Sequence, residues 1–85
     1  MASPKEVEAM IKQGLPDAIV QIYDARGTGD HYEVVVVSEN FVGKSRLQQH
    51  QIVYGAVQSA MASGEIHALQ LDTKTPEEWQ AVKSA

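Results

Sequence analysis

Four consecutive valines, Val34–Val37, occupy the segment HYEVVVVS at residues 31–38 and constrain the fold more than any other feature of the chain. β-Branched residues favour extended backbone. An uninterrupted apolar run of this length is typical of a strand that is buried on both faces or lies near the centre of a sheet. Two other segments have strand composition, AIVQIYDA at residues 18–25 and IHALQLD at residues 66–72. The sequence therefore predicts three strands, of which the valine-rich one is the strongest.

Helix starts are marked by three capping sequences, SPKE at residues 3–6, SRLQ at 45–48 and TPEE at 75–78. In each, an N-cap Ser or Thr is followed three residues later by Glu or Gln, so that each side chain can bond the other residue's backbone N–H. Apolar residues then recur at spacings of three and four, as in an amphipathic helix. We expect a first helix over residues 4–14, a second from Ser45 to about Ala62, and a short third helix starting at Pro76.

The predicted order is therefore helix, strand, strand, helix, strand, helix. The first two strands are joined by a short glycine-containing segment, RGTGD, and should form an antiparallel hairpin. The second and third strands are separated by the long helix, which predicts a right-handed crossover and a parallel pairing. The fold class is α+β, a single domain over residues 1–85 with a three-stranded mixed sheet covered on one face by helices.

Composition narrows the functions that this domain can have. The chain has no cysteine, which excludes disulfides and all-thiolate metal sites built from this chain alone. Its net charge of −4 disfavours nucleic-acid binding, because contacts to phosphate need a basic surface. No segment is apolar over the length of a membrane span, and the N-terminus lacks a signal-peptide pattern. We expect a soluble intracellular protein with no membrane partner.

His31 and His67 are candidate metal ligands because of their places in the predicted strands. His31 opens the second strand, and His67 lies near the start of the third. If these strands are parallel, both histidines lie at the same end of the sheet, on strands about 4.8 Å apart. Imidazole is a common ligand for iron, zinc and copper, but two imidazoles do not complete a site, so a partner or a small thiol would supply the rest. The alternative is that both are exposed residues at strand ends with no function.

His50 is predicted to have a structural role in the central helix. It falls on a stripe of residues at spacings of three and four, Leu47, His50, Tyr54, Val57 and Met61. A histidine on such a stripe is most often a core residue with one hydrogen-bonded nitrogen. No arrangement of nucleophile, base and carboxylate argues for catalysis, and we expect that the protein is not an enzyme.

The segment Gly43, Lys44, Ser45 and Arg46 is the only local basic patch in the sequence. It leads into the central helix, where backbone N–H groups and two cations could bind a phosphate. The alternative is a plain turn with two solvated cations.

Three spaced elements resemble the BolA family. HYEVVVVSENFVGKS is similar to the family's strand and Phe-x-Gly turn, LQQHQIVYGAV to its central helix, and IHALQLDTKTPEEW to its closing strand and Thr-Pro-x-x-Trp helix start. The resemblance covers almost the whole chain. The short chain and its Gly-x-Gly-x-His-Tyr loop are most similar to the family's compact bacterial and plastid-type members.

This resemblance implies a class II KH-like fold and a partnership with monothiol glutaredoxins of the CGFS type, in which the two proteins share a [2Fe–2S] cluster. It implies His67 as one cluster ligand, while the second ligand is a loop Cys in many members and a His in others. The Cys position falls on Thr28, whose hydroxyl is a poor ligand, so His31 is the nearest competent substitute. Glutaredoxin and glutathione would supply the thiolates, and no cofactor is expected in the isolated chain.

The residues and the resemblance together lead to two hypotheses about the function of this protein. The first is a non-enzymatic adaptor that shares a cluster with a glutaredoxin in iron–sulfur or iron homeostasis or in redox signalling. The alternative is a KH-like DNA-binding transcription regulator that uses the segment Gly43–Arg46. The family's Arg before the central-helix His is Gln49 here, which weakens the alternative. A metal-free glutaredoxin-binding module also stays open. The isolated protein is expected to be a monomer or weak dimer, in the cytoplasm or the plastid stroma.

Overall fold

The computed structural model describes residues 3–24, 31–66 and 68–84. In chain order its elements are α1 (Pro4–Gly14), β1 (Ile19–Asp24), β2 (His31–Val37), a 3₁₀ helix (Glu39–Phe41), α2 (Arg46–Ala56), α3 (Gln58–Ser63), β3 (Ala68–Lys74) and α4 (Pro76–Ser84). The helices found in these ranges are all too short or too polar to cross a membrane.

The valine-rich strand β2 is the centre of a three-stranded sheet of order β1-β2-β3. β1 pairs with it antiparallel, with Ile19 opposite Val37. β3 pairs with it parallel, with His31 opposite Ala68 and Val37 opposite Lys74. The α+β class, the hairpin, the parallel crossover and the central place of the valine-rich strand are thus confirmed.

Capping chemistry sets the helix starts as the sequence predicts. At α1 the Ser3 hydroxyl accepts from the Glu6 N–H at 3.2 Å, and the Glu6 carboxylate accepts from the Ser3 N–H at 3.1 Å. The same reciprocal pair forms at α2 between Ser45 and Gln48, and at α4 between Thr75 and Glu78. Each pair satisfies N–H groups that the helix itself leaves without partners.

The hydrophobic core lies between one face of the sheet and the helices. Tyr32, Val34 and Val36 of β2 all point to this side, and each is at most 1% exposed. They pack with residues of α1, α2 and α3, among which Val7, Ile11, Val53, Val57 and Ala60 are buried. Burying one such aliphatic side chain contributes about 1.5–3 kcal/mol, so this layer supplies much of the fold's stability.

The residues that the structure describes cover the opposite face of the sheet at one end only. On this face of β2, Glu33 is exposed and Val35 is half-buried, whereas Val37 is 2% exposed. Val37 does not belong to the main core; it lies beside Pro76 and Trp79 of α4. Within the run of four valines, Val34 and Val36 therefore face the core, and Val35 and Val37 face the other side. Of this second pair, Val37 lies against α4.

The predicted central helix is divided at Val57, which ends α2 and precedes α3. Val57 has φ −109° and ψ 12°, and its N–H is shared between the carbonyls of Val53 and Tyr54 at 3.3 and 3.2 Å. A tightened turn of this kind is favoured here because Val57 is β-branched and Gly55 is a poor helix former. The interruption is local, since the Met61 N–H again bonds the Val57 carbonyl.

The buried stripe of the central helix differs from the predicted one. Leu47 and Tyr54, expected on the apolar face, are 68% and 38% exposed. Val57, which the prediction included, is buried, and the other buried residues are Gln49, Val53 and Ala60. The prediction was wrong for Leu47 and Tyr54 because it assumed that the buried face of α2 is apolar throughout. This face begins instead with the polar side chain of Gln49.

The third strand also differs from its predicted range of 66–72, since it ends at Lys74. Thr73 and Lys74 pair with Val36 and Val37, which extends the parallel ladder to the end of β2. Thr73 is fully buried, and its hydroxyl donates to the Gln49 side-chain oxygen at 2.7 Å. The sequence did not indicate this extension because it depends on a partner 24 residues away.

Candidate functional site

The end of the sheet where β2 and β3 begin contains the histidine predicted on β2. His31 is the first residue of β2, is half-buried, and lies opposite Ala68, the first residue of β3. Because the two strands are parallel, their starts share one end of the sheet, which is the arrangement that the metal-site hypothesis required. His67, which precedes Ala68 in the sequence, lies outside the described residues, as does Thr28.

The described residues alone do not complete a metal site. Within residues 3–24, 31–66 and 68–84 no three His, Cys, Asp or Glu side chains come together closely enough to hold an ion. A site at the start of β2 therefore needs donors from the residues that are not described, or from a second molecule. This requirement agrees with the donor chemistry of the chain, which has three histidines and no cysteine.

The central helix is tied to this end of the sheet by Tyr54. Its hydroxyl donates to the backbone carbonyl of Leu69 at 3.3 Å, while its ring stays 38% exposed. Leu69 is the second residue of β3 and pairs with Tyr32. The start of β3 is therefore held both by the ladder to β2 and by a side chain of α2.

The segment Gly43–Arg46 forms the turn that enters α2. Gly43 has φ 78°, a left-handed conformation that residues with a Cβ rarely adopt. The Lys44 ammonium donates to the backbone oxygen of Asn40 at 2.6 Å. The Ser45 hydroxyl accepts from the Gln48 N–H at 3.1 Å, which occupies one of the helix-start donors that a phosphate would use.

Arg46 connects three elements of the fold. Its guanidinium donates to the Thr73 carbonyl at the end of β3, and to the Gln49 side-chain oxygen at 3.2 Å. It also pairs with the Glu78 carboxylate of α4 at 3.4 Å. The Thr75 N–H, and to a smaller extent Arg46, lower the pKa of Glu78. Both cations of the basic patch thus have partners within the fold, and binding of DNA there stays a prediction.

Gln49 is the most connected polar side chain at this end of α2, a role that the sequence did not indicate. It is 5% exposed. Its amide nitrogen donates to the carbonyls of Phe41 and Lys44 at 3.1 and 3.0 Å. Its oxygen accepts from the Thr73 hydroxyl and from Arg46. The one signal in the sequence is its spacing of four from Val53, which places it on the buried stripe.

Asp17 performs a similar function at the start of β1. Its carboxylate accepts from the Ser38 hydroxyl at 2.8 Å, from the Glu39 N–H at 2.8 Å and from the Asn40 amide at 3.1 Å. Partial desolvation of the carboxyl group opposes ionisation, but these hydrogen bonds together outweigh it and lower the pKa of Asp17. Asp17 therefore holds the 3₁₀ helix against the turn between α1 and β1.

His50 lies next to Gln49 on α2 but differs from it in environment. It is half-buried, whereas Gln49 is buried. Its predicted hydrogen bond is absent among the residues described, and the core cluster does not include it. The buried polar position of the helix is thus occupied by the residue before it. The structural role of His50 stays a prediction.

Comparison with known proteins places this geometry in a family. The family model described as BolA-like protein matches residues 10–78. The chain is 34% identical to the acid stress protein IbaG of Escherichia coli K12, over 87% of this chain and 84% of that protein. It is 37% identical to the protein BOLA2 of Arabidopsis thaliana, over 94% of this chain and 86% of that one.

A solved structure agrees with these sequence relatives. A BolA protein homologue from Coxiella burnetii superimposes with a TM-score of 0.75 at 38% identity, covering 94% of this chain and 99% of the other. The matched residues include β2, the turn, α2 and β3, which carry the resemblance seen in the sequence. On the agreement of family model, relatives and structure, this chain belongs to the BolA-like protein family.

Proposed function

We propose that this protein is a non-enzymatic partner of a monothiol glutaredoxin of the CGFS type, and that the two share a [2Fe–2S] cluster. Membership of the BolA-like family supports the proposal. The observation that carries it is the register of the parallel strands, in which His31 lies opposite Ala68, the neighbour of His67 in the sequence.

The donor set of this chain fits a shared cluster better than a site of its own. His67 and His31 would contribute imidazole nitrogens, and the chain has no thiolate. The remaining ligands would be thiolates, from the glutaredoxin and from glutathione. Histidine ligation on one iron of such a cluster raises its reduction potential relative to ligation by thiolates alone. This property suits a protein that senses or passes on a cluster in iron homeostasis or redox signalling.

His31 is the better candidate than Thr28 for the second ligand. A threonine hydroxyl is a poor ligand for an iron–sulfur cluster, whereas a neutral imidazole is a good one. His31 is also held at a defined place, since it is the first paired residue of the central strand. It lies on the face of the sheet opposite Tyr32 and the core, so its ring is not enclosed by core residues.

The test is to reconstitute a cluster on the mixture of this protein and a monothiol glutaredoxin with glutathione, and to record visible absorption and circular dichroism. We expect His67→Ala to abolish the spectrum of the mixed complex and His31→Ala to alter it. His50→Ala is the matched control, because it removes an imidazole from α2 and should leave the spectrum unchanged. An unchanged spectrum for His67→Ala would refute the ligand assignment.

Binding without the cluster separates this function from that of a metal-free glutaredoxin-binding module. Calorimetry of the two apoproteins measures association that needs no iron. If both variants leave this association intact while His67→Ala abolishes the mixed-complex spectrum and His31→Ala alters it, both residues act as ligands. If every variant binds equally and no mixed-complex spectrum forms even with the native chain, the protein is a binding module only.

A further inference from the structure

A pocket of about 240 Å³ lies at the end of the sheet opposite to His31. It is lined by Asp17, Ile19, Val37, Glu39, Pro76 and Trp79, among others. Val37 is the last residue of β2, and seven strand residues separate the two ends by about 20 Å. The pocket is therefore distinct from the candidate cluster site, and a role for it does not depend on the proposed function.

The walls of this pocket are of two chemical kinds. Ile19, Val37 and Pro76 are apolar, and the indole of Trp79 is half-buried beside them. Asp17 and Glu39 are carboxylates, and both are exposed. An aromatic face together with carboxylates is the combination that binds organic cations, since the π-face attracts positive charge and carboxylates bind guanidinium in a planar fork.

The negative charge in the pocket is not neutralised by the described part of the fold. The donors to Asp17 are neutral groups, namely the hydroxyl of Ser38, the N–H of Glu39 and the amide of Asn40. Across the described ranges, no lysine, arginine or histidine forms an ion pair with Asp17 or Glu39. The nearby Lys44 ammonium bonds the Asn40 backbone oxygen instead.

The helix that provides Trp79 does not supply the missing positive charge. α4 begins at Pro76, so the partial positive charge of its N-terminus lies near the pocket. Its first turn contains Glu77 and Glu78, and two full negative charges there exceed the fraction of a charge at the helix end. Of these two carboxylates, Glu78 is paired with Arg46.

We propose that this pocket binds a guanidinium or alkylammonium group, with the cation against Trp79 and paired with the Glu39 carboxylate, while Asp17, whose oxygens accept from Ser38, Glu39 and Asn40, contributes only its negative charge. Its volume suits one side chain and not a larger ligand. The group could be an arginine side chain of a partner protein or a small organic cation. A planar guanidinium stacks on indole and is more weakly hydrated than an ammonium, so arginine is bound more tightly than lysine.

Trp79 is the only tryptophan of the chain, so its fluorescence reports on this pocket directly. The experiment titrates the full chain with N-acetyl-arginine amide and with N-acetyl-citrulline amide, a neutral group of nearly the same shape. We expect a saturable change with arginine and binding that is about tenfold weaker with citrulline, because only the cation gains from the carboxylates. Equal responses to both, or no saturable change with arginine, would overturn the proposal.

Two variants test the residues, each with the fold checked by circular dichroism. Glu39→Gln should weaken arginine binding about threefold, and the matched control Glu33→Gln, an exposed carboxylate elsewhere on the sheet, should not change it. An equal loss in Glu33→Gln and Glu39→Gln would show a general charge effect and refute the site.

The source of the cation is decided by a further titration with a short peptide that has a central arginine. A peptide that binds much more tightly than N-acetyl-arginine amide supports a side chain of a partner protein. Equal affinities support a small organic cation. Both results require the arginine-over-citrulline preference, and without it neither source is supported.

Discussion

The two ends of the central strand differ in how their polar residues are used. At the end where β2 and β3 finish, Asp17, Gln49 and Arg46 each make several hydrogen bonds that join separate elements. At the end where the strands begin, His31 is half-buried on the face away from the core. The end where β2 and β3 finish, with Asp17, Gln49 and Arg46, is called the closed end below, because these side chains join it to the rest of the fold.

This difference shows why residue type alone is a weak guide to function. The basic segment Gly43–Arg46 has the composition of a phosphate site, yet Arg46 bonds Thr73 and Glu78 and Lys44 bonds a carbonyl. His31, in contrast, carries no charge pattern of this kind, and the parallel pairing places it opposite Ala68, the first residue of β3. The basic segment and His31 are therefore distinguished by their positions relative to the sheet and not by their charge.

Gln49→Ala tests whether the closed end is structural, and we expect it to destabilise the protein by about 3 kcal/mol. The reason is that the buried Thr73 hydroxyl and the partly buried Lys44 carbonyl lose their Gln49 partner, and the Phe41 carbonyl keeps only the Lys44 N–H. Urea unfolding followed by circular dichroism measures the change. His50→Ala, one residue along the same helix, is the control and should cost less than about 1 kcal/mol. Similar losses in the two variants would contradict the role given to Gln49.

Asp17→Asn should have a smaller effect that depends on pH. The pKa of Asp17 is lowered from 3.8 in the fold, so the unfolded chain binds more protons as the solution is acidified. Its contribution is fully present above pH 3.8 and is lost as the pH falls through the lowered value. Because Asp17 is mostly exposed, we expect less than about 1 kcal/mol.

The measurement compares the free energy of unfolding of the native chain and Asp17→Asn at neutral pH and at about pH 3. The difference between the two proteins should shrink in acid. A difference that stays constant across this range would show that the carboxylate's ionisation does not stabilise the 3₁₀ helix.

His31→Ala should change stability least, by about 0.5 kcal/mol or less, because the residue stands at the first position of a strand and keeps contact with solvent. The same denaturation experiment as for Gln49→Ala applies. A loss as large as that of Gln49→Ala would mean that both ends of β2 are structural, and the contrast between them would fail.

The order of the elements could be predicted because it depends on local pattern. The valine run indicated the central strand, and the Ser3, Ser45 and Thr75 capping sequences located the helix starts. The parallel pairing could then be inferred from the helix between the strands. These features depend on residues that are close in sequence, because strand propensity and helix capping are local effects.

The polar contacts of the closed end could not be predicted, because their partners come from distant parts of the chain. Gln49 meets Thr73 across 24 residues, and Asp17 meets Ser38 across 21. The extension of β3 to Lys74 depends on distant residues as well, since Thr73 and Lys74 pair with Val36 and Val37. For the candidate site, topology predicts that the strand starts share one end, but the distance between two imidazoles depends on register and rotamer, which no local pattern sets.

The parallel register has a consequence for the order in which the molecule folds. β1 and β2 are adjacent in sequence, so the hairpin can close early at small entropic cost. His31 and Ala68 are separated by 37 positions in the chain, and their pairing must wait for the slower closure of that long segment. The starts of β2 and β3 are therefore expected to pair after the hairpin of β1 and β2 has formed, although β2 takes part in both pairings.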